Sequence, residues 1–140
     1  MSNPLQGAAD GRRLAVSSTG SSTADAVDPR FGRCAYFVIS DESSGRTEIV
    51  ANTARALGNG AGIQAAQDLL NRGVTIVVTG DVGPNAYRTL SAAGIRVFRC
   101  TGTSVADAIR DFKLGKLVEV SRPTSPGHHG HGAGGRRGWP

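Results

Sequence analysis

The run VTIVVTG (residues 74–80) narrows the folds open to this chain more than any other stretch. Its apolar, mostly β-branched residues follow one another without polar alternation, so both faces of the strand must be covered. That is the pattern of a central parallel strand with helices packed on either side. Three helical patterns supply the cover. AGIQAAQDLLNRG (61–73) puts Ile63, Ala66 and Leu70 on one face and stops at Gly73. GPNAYRTLSAAG (83–94) has Pro84 in its first turn, Gly94 after its last, and Ala86, Leu90 and Ala93 as its stripe. TSVADAIRDFKLG (103–115) has Ser104 as its cap, Asp107 three residues on, and Val105, Ala108, Ile109 and Phe112 inward.

The remaining strands read as RLAVSST (13–19), CAYFVIS (34–40), RTEIVA (46–51) beyond the turn DESSG, and IRVFRC (95–100). KLVEV (116–120) adds a candidate short edge strand. The order is thus β-β-β-α-β-α-β-α. A right-handed crossover after the three-strand meander sets the fourth strand beside the first. The expected fold is α/β with a ribonuclease-H-like motif. Its mixed sheet has five strands in the order 3-2-1-4-5, only strand 2 antiparallel, and helices on both faces. Residues 1–11 read as a flexible leader and 12–120 as one α/β domain. Residues 121–140 read as a disordered tail rich in Gly, His and Arg, too poor in apolar groups to offset ordering entropy.

In such a sheet strands 1, 3, 4 and 5 end on one rim, and strand 2 begins there. The loops DPRFGR, GNGAG, TGDVGPN and CTGTS open on that edge. All three helices start there, and their free N–H groups favour anions. The strand order reverses between strands 1 and 4, where open α/β sheets bind ligands. Cys34 opens strand 2 and Cys100 closes strand 5, so both reach the rim. Three strand spacings separate them by roughly 14 Å, too far for a disulfide.

Composition excludes several chemistries. No apolar run approaches the roughly 20 residues that span a bilayer, and the first residues lack a signal peptide's apolar stretch. A cytoplasmic protein with no membrane partner is expected. Two cysteines in 140 residues are too few for a disulfide scaffold. The net charge is +5, but three arginines and no acid follow Ser121, which leaves +2 for the rest. Of 16 basic residues only Lys113 and Lys116 are lysines. Arginine suits planar, multi-donor contacts to anions; a coding bias explains the excess equally well. Aromatic residues make up 5% and do not interleave with basic ones, which argues against nucleic acid as a partner. A nuclease of this topology needs clustered acids for two metal ions. Strand 1 has none, and Asp81 stands alone on the rim. GNGAG is no P-loop, because no Lys-Ser/Thr follows, and it misses the dinucleotide fingerprint.

An anion site fits what is left. DPRFGRCAYF (28–37) sets Arg30 and Arg33 around Phe31 and Gly32, with Cys34 next. It reads equally as a turn feeding a strand. On the rim, Phe31 either walls a pocket or packs into the core. Cys34, expected to be the more exposed thiol, is either a soft ligand or a neighbour, with Cys100 the secondary candidate. Asn59, Gly60, Ala61 and Gly62, with Gly83 and Asn85, offer backbone amides or simply make tight turns. All three histidines, His128, His129 and His131, lie in the tail motif GHHGHG. They suit a soft or borderline divalent metal, at a spacing unlike a structural zinc site.

VDPRFGRCAYFVI, GNGAGIQAAQDLLNRGV, VVTGDVGPNAYRTLSAAGIRVF and VADAIRDFKLGKL, in this order across residues 12–118, together resemble one family. It is the dinitrogenase iron–molybdenum cofactor biosynthesis family, which includes NifX, NafY, the C-terminal domain of NifB and the small orange proteins that hold a molybdenum–copper–sulfide cluster. The resemblance implies a ribonuclease-H-like fold and a non-catalytic protein. Such a protein binds, carries or delivers an anionic metal–sulfur cluster, of Mo–Cu–S or Fe–Mo/Fe–S type, held largely without covalent bonds. It implies that Arg30, Phe31, Gly32, Arg33, Cys34, Asn59, Gly60, Ala61, Gly62, Gly83 and Asn85 face the cofactor. Cys34, Cys100, His128, His129 and His131 are the candidates for direct metal ligation. NifX-like members often have a histidine ahead of the Phe-Gly; Arg30 stands there instead, which favours electrostatic holding. The radical-SAM part of NifB and the extra domain of NafY are not in this sequence, so biosynthetic catalysis is not implied. A MinD/ParA-type ATPase or a cofactor-receiving protein is the implied partner. The alternatives are a nucleotide- or phosphate-binding hydrolase at the same rim, or an interaction module partnering an ATPase.

Overall fold

The computed structural model describes residues 12–58 and 60–124. The expected leader (1–11), Asn59, and residues 125–140 with His128, His129 and His131 lie outside the described residues. Strands β1 (Arg13–Ser18), β2 (Tyr36–Asp41) and β3 (Thr47–Ala51) form an antiparallel meander. A short 3-10 turn (Thr53–Ala56) leads to helix α1 (Ala61–Asn71). Then come β4 (Ile76–Thr79), α2 (Pro84–Ala92), β5 (Arg96–Arg99), α3 (Val105–Lys113) and β6 (Val118–Val120).

Every residue of β4 is buried, as its unbroken apolar run requires. It lies parallel to β1 on one side and to β5 on the other. The sheet runs 3-2-1-4-5-6. The expected order holds for the first five strands, but the sheet has six strands, not five. β6 adds an antiparallel edge against Val97–Arg99. It is the short edge strand that KLVEV suggests, left out of the five-strand order, and its pairing is reinforced by an Arg96–Glu119 ion pair at 2.7 Å. Register places the ends of β1, β3, β4 and β5 on one rim. There Ser18 faces Tyr36, Tyr36 faces Ala51, and Thr79 faces Arg99.

Helices cover both faces. One core packs Ala15, Ile39, Val77 and Val97 of the sheet against Ala65, Ala66 and Leu69 of α1 and Ala86 and Leu90 of α2. The other packs Leu14, Val16, Val38 and Val78 against Val105 and Ala108 of α3, with Ile109 and Phe112 at its margin. The stripes expected for α2 and α3 are the observed ones. That of α1 holds only at Ala66: Ala61, Ala65 and Leu69 join it inward, while Ile63 and Leu70 are exposed. Close helix packing overrides the larger apolar side chains. A Cβ on Gly62 would stand 2.9 Å from Ala86 Cβ, so small residues must occupy this seam between α1 and α2.

The seam predicts the effect of one methyl group. Gly62→Ala forces α1 away from α2 and lowers stability by about 1–3 kcal/mol. Urea denaturation measures this, and a variant as stable as the parent would refute the packing.

Candidate anion-binding groove

The loop carrying Arg30 and Arg33 crosses the ends of β1 and β4 and is fixed from several sides. Ser17 Oγ donates to Asp28 O at 2.7 Å and contacts Thr79 Oγ1 at 2.7 Å, tying both strand ends beneath the loop. Phe31 N–H donates to Asp81 O at 3.2 Å and Asp81 N–H to Pro29 O at 2.7 Å, a short parallel bridge to the turn after β4. Only glycine permits that approach at position 80, where a Cβ would lie 2.6 Å from Pro29 Cα. Buried Asn52 holds the loop's far side, Nδ2 donating to Gly32 O at 3.1 Å and Cys34 O at 2.9 Å. Buried Asp28 accepts from the Arg30 amide at 2.9 Å, the Asx-type turn that an Asp-Pro start favours.

A groove of about 380 Å³ opens beside this loop, lined by residues 30–33, 58, 60–63, 81 and 83–86. Helices α1 and α2 both begin in it. Their caps are Gly60 and Gly83, neither of which has a side-chain oxygen, and neither helix has an acid in its first turn. These two amide ends thus face the groove with no side-chain cap, the arrangement that favours an anion. Helix α3 differs from the expectation that all three helix starts serve the site. Ser104 Oγ accepts from Asp107 N–H at 3.1 Å, while Val105 and Ala106 N–H donate to Asp25 O and Thr23 O at 2.8 and 2.9 Å. The loop after β1 folds over CTGTS and satisfies that helix start internally.

Gly32, Gly60, Ala61, Gly62, Gly83 and Asn85 all line the groove, as expected. Arg30 does too. Its side chain is 64% exposed and leans on Asp28 through Nε at 3.3 Å, leaving its charge at the mouth. Arg33 has a different task. Its Nη1 donates to Arg55 O at 3.2 Å and Leu57 O at 3.0 Å, and its Nη2 to Gly58 O at 3.0 Å. It lines the groove and also fastens the segment entering α1, so it positions the groove wall. The Phe31 ring belongs to the core, 2% exposed and 5.4 Å from Phe37, so of its two readings packing prevails. Asp81 lines the groove and pairs with Arg99 at 3.4 Å. Asp28 is a second rim carboxylate. Neither Asn52 nor Asp28 stands out in the sequence as a site residue: Asp-Pro signals a turn, and nothing marks Asn52.

The two thiols are displaced from their expected places. β2 begins at Tyr36, two residues later than the apolar run suggests, so Cys34 precedes the strand and turns into the core. It is 0% exposed, against 9% for Cys100, the reverse of the expected ranking. Its Sγ donates to Phe31 O at 3.4 Å and meets Asn52 Nδ2 at 3.7 Å. Burial, then the nearby Asp28 carboxylate, pushes the thiol from the ordinary 9.0 to about 12. So placed, Cys34 is a protonated core residue and not a thiolate at the groove. Cys100 lies in the opposite core and borders a separate cleft of about 830 Å³ formed by residues 99–101 and 118–124. Burial, then Asp111, raises its thiol as well. Both cysteines are free. Among the described residues no three His, Cys, Asp or Glu side chains are grouped to hold a metal ion. No described helix is long and apolar enough to cross a membrane.

Cys34 gives a chemical and a pH test. In native buffer at pH 8, iodoacetamide modifies Cys100 first and Cys34 only on unfolding; peptide mass mapping showing Cys34 modified first would contradict its burial. Because the folded thiol titrates near 12 and the unfolded one near 9.0, folding keeps a proton that the unfolded chain releases. Stability from this source is complete below about pH 9 and falls as pH rises toward 12. Between pH 9 and 10 the protein therefore loses stability relative to Cys34→Ala, by up to about 1.4 kcal/mol per pH unit, as read from urea midpoints.

Comparison with known proteins agrees with this architecture. The apo form of the orange protein from Desulfovibrio gigas superposes with a TM-score of 0.79 and 40% identity, over 81% of this chain and 97% of that one. A Thermotoga protein provisionally named a NifB protein gives 0.75 and 40%, over 83% and 99%. An uncharacterized protein of Methanocaldococcus jannaschii is 36% identical over 94 residues, 65% of this chain and 80% of the relative. The family model described as dinitrogenase iron-molybdenum cofactor matches residues 12–115. Matched over nearly the whole described domain, the chain belongs to the dinitrogenase iron–molybdenum cofactor family.

Proposed function

We propose that this protein holds an anionic metal–sulfur cluster, of the molybdenum–copper–sulfide or iron–molybdenum class, in the groove and carries it without transforming it. One observation carries this reading. Two helix starts without side-chain caps meet the exposed Arg30 guanidinium in a single groove. Those donors suit the diffuse negative charge of a sulfide-covered cluster. They do not suit a bare metal ion, which needs lone pairs. The buried Cys34 supports holding an already assembled cluster over ligating its metals one by one.

Magnitudes agree with carriage. Two helix ends at about 0.5–2 kcal/mol each and one charged contact at about 1.5–3 kcal/mol amount to binding between roughly ten millimolar and ten micromolar. Such a ligand is held and can be released. Among the described lining residues Asp81 is the one carboxylate, and there is no hydroxyl, thiol or imidazole. That composition favours a binding role over turnover. The first five strands, with the second reversed, support the ribonuclease-H-like assignment, and two buried free thiols fit a reducing, cytoplasmic setting. The relatives lend no support to a MinD/ParA-type ATPase as partner.

Tetrathiomolybdate, with and without copper(I), is the defined probe. Equilibrium dialysis followed by visible absorption is expected to show retention, with molybdate, phosphate and ATP competing weakly. Arg30→Ala weakens retention about tenfold, near 1.4 kcal/mol, and flattens its salt dependence. Cys34→Ala leaves affinity within about twofold. Tighter binding of ATP than of the thiometallate would sink the reading, and a tenfold loss in Cys34→Ala would restore direct ligation.

A further inference from the structure

Among the described residues lining the groove, Asp81 alone carries a carboxylate. Left to itself, it would repel the anion that the two helix starts attract. The fold answers it from outside the groove. Asp81 follows β4, and Arg99 ends β5, the strand beside it; in register, Thr79 faces Arg99. Val97 packs into the core under α1 and α2, and strand alternation puts Arg99 on that same face. There its guanidinium meets two consecutive residues of the turn after β4. Nε donates to Gly80 O at 3.1 Å, and Nη2 lies 3.4 Å from Asp81 Oδ1. Arg99 does not line the groove; it borders the neighbouring cleft. The other acid bordering that cleft, Glu119, is held by Arg96 at 2.7 Å.

The second acid–arginine pair of the rim is built the other way round. There the Asp28 carboxylate is buried and Arg30 stands in the groove. In the Asp81–Arg99 pair the acid stands in the groove and the arginine behind it. The side chains of Arg99 and Asp81 are 53% and 44% exposed, so their contact adds little to stability. Its effect is on the field in the groove. A lone carboxylate acts on a nearby anion as a full charge. A carboxylate with a cation 3.4 Å away acts as a dipole, whose influence falls off faster. The backbone of Asp81 is fixed, because its amide donates to Pro29 O at 2.7 Å and its carbonyl accepts from Phe31 N–H at 3.2 Å. The chain thus keeps this acid at the groove, and a neighbouring cation mutes its charge.

We infer that Arg99 is a positioning residue for anion binding: from outside the groove it neutralises Asp81, so that Arg30, Arg33 and the two helix starts set the potential a ligand meets. This role rests on the anion-holding reading of the groove and extends it to a side chain that does not touch the ligand.

Two anions keep the outcomes apart. Tetrathiomolybdate is read by equilibrium dialysis, and inorganic sulfate by the ¹H–¹⁵N shifts of Gly62, Ile63, Asn85 and Ala86 at low salt. Each is titrated into the full chain as parent, Arg99→Ala, Asp81→Asn and the double variant. Arg99→Ala is expected to weaken both anions about three- to tenfold, and Asp81→Asn to tighten them by a similar factor. The double variant is expected to return to within about twofold of the parent. If Arg99 merely braced the turn, the double variant would stay as weak as Arg99→Ala. That result would overturn the inference, and so would an Arg99→Ala affinity equal to the parent's. Should Arg99→Ala fail to fold, Asp81→Asn decides alone, and unchanged or weaker binding there refutes the role. If sulfate follows this pattern while the parent does not retain thiometallate, the cluster reading falls and the role of Arg99 stands. If the parent holds neither anion, both fall.

Discussion

The loop from Asp28 to Cys34 is the constraint on which the whole site depends. It lies across two buried strand ends, where an unpaired backbone group costs about as much as a lost hydrogen bond. Its polar groups are met by Ser17 from β1, by the Asp81 backbone beyond β4, and by Asn52 beyond β3. Three strands thus agree on one loop conformation. Because the loop is fixed, Arg30 stands at the groove mouth, Gly32 touches the start of α1, and Cys34 is drawn under the loop into the core. The position of the arginine and the burial of the thiol are two results of the same set of hydrogen bonds.

The three helix starts differ in how their amides are satisfied. All three lie on the rim, yet one is satisfied by a serine cap and two carbonyls, while the other two are capped by glycine. A glycine in place of a Ser, Thr, Asp or Asn cap gives up a few tenths of a kcal/mol. Here that loss recurs on the two helices that share one groove and is avoided on the third, which does not face it. Free amides at two helix starts in one groove favour an anion there. Arg33 belongs to the same scheme, because it commits its donors to the carbonyls of residues 55–58 and holds the chain that enters α1.

Much of this was legible in the residues. The unbroken 74–80 run announced a central strand, and chain order with right-handed crossover gave the arrangement of the first five strands. Proline and glycine marked where α2 begins and ends, and Ser104 marked the start of α3. What escaped was tertiary in origin. Ile63 and Leu70 look like an inner face, but the seam with Ala86 admits only small residues. Cys34 continues an apolar run, so period alone could not show that the first two residues of that run precede the strand. Asn52 is a lone polar residue after a strand, and its worth comes from carbonyls 18 and 20 positions away in sequence. The pairing of β6 depends on an edge that exists only once β5 is in place.

The stretch RFGRC therefore divides its labour in a way that residue types alone do not reveal. Two arginines and a cysteine suggest an anion held beside a soft ligand. In the fold, one arginine faces the groove, the other braces its wall, and the cysteine is sealed behind the loop with its thiol pushed to about 12. Thiolate ligation of a soft metal would require the chain to open the loop and unmake the Asn52 contacts. Amide and guanidinium contacts need no such change, and they weaken with salt and exchange readily. Of the two kinds of attachment, the second is the one that the fixed loop and the two glycine-capped helix starts leave open to an anion in the groove.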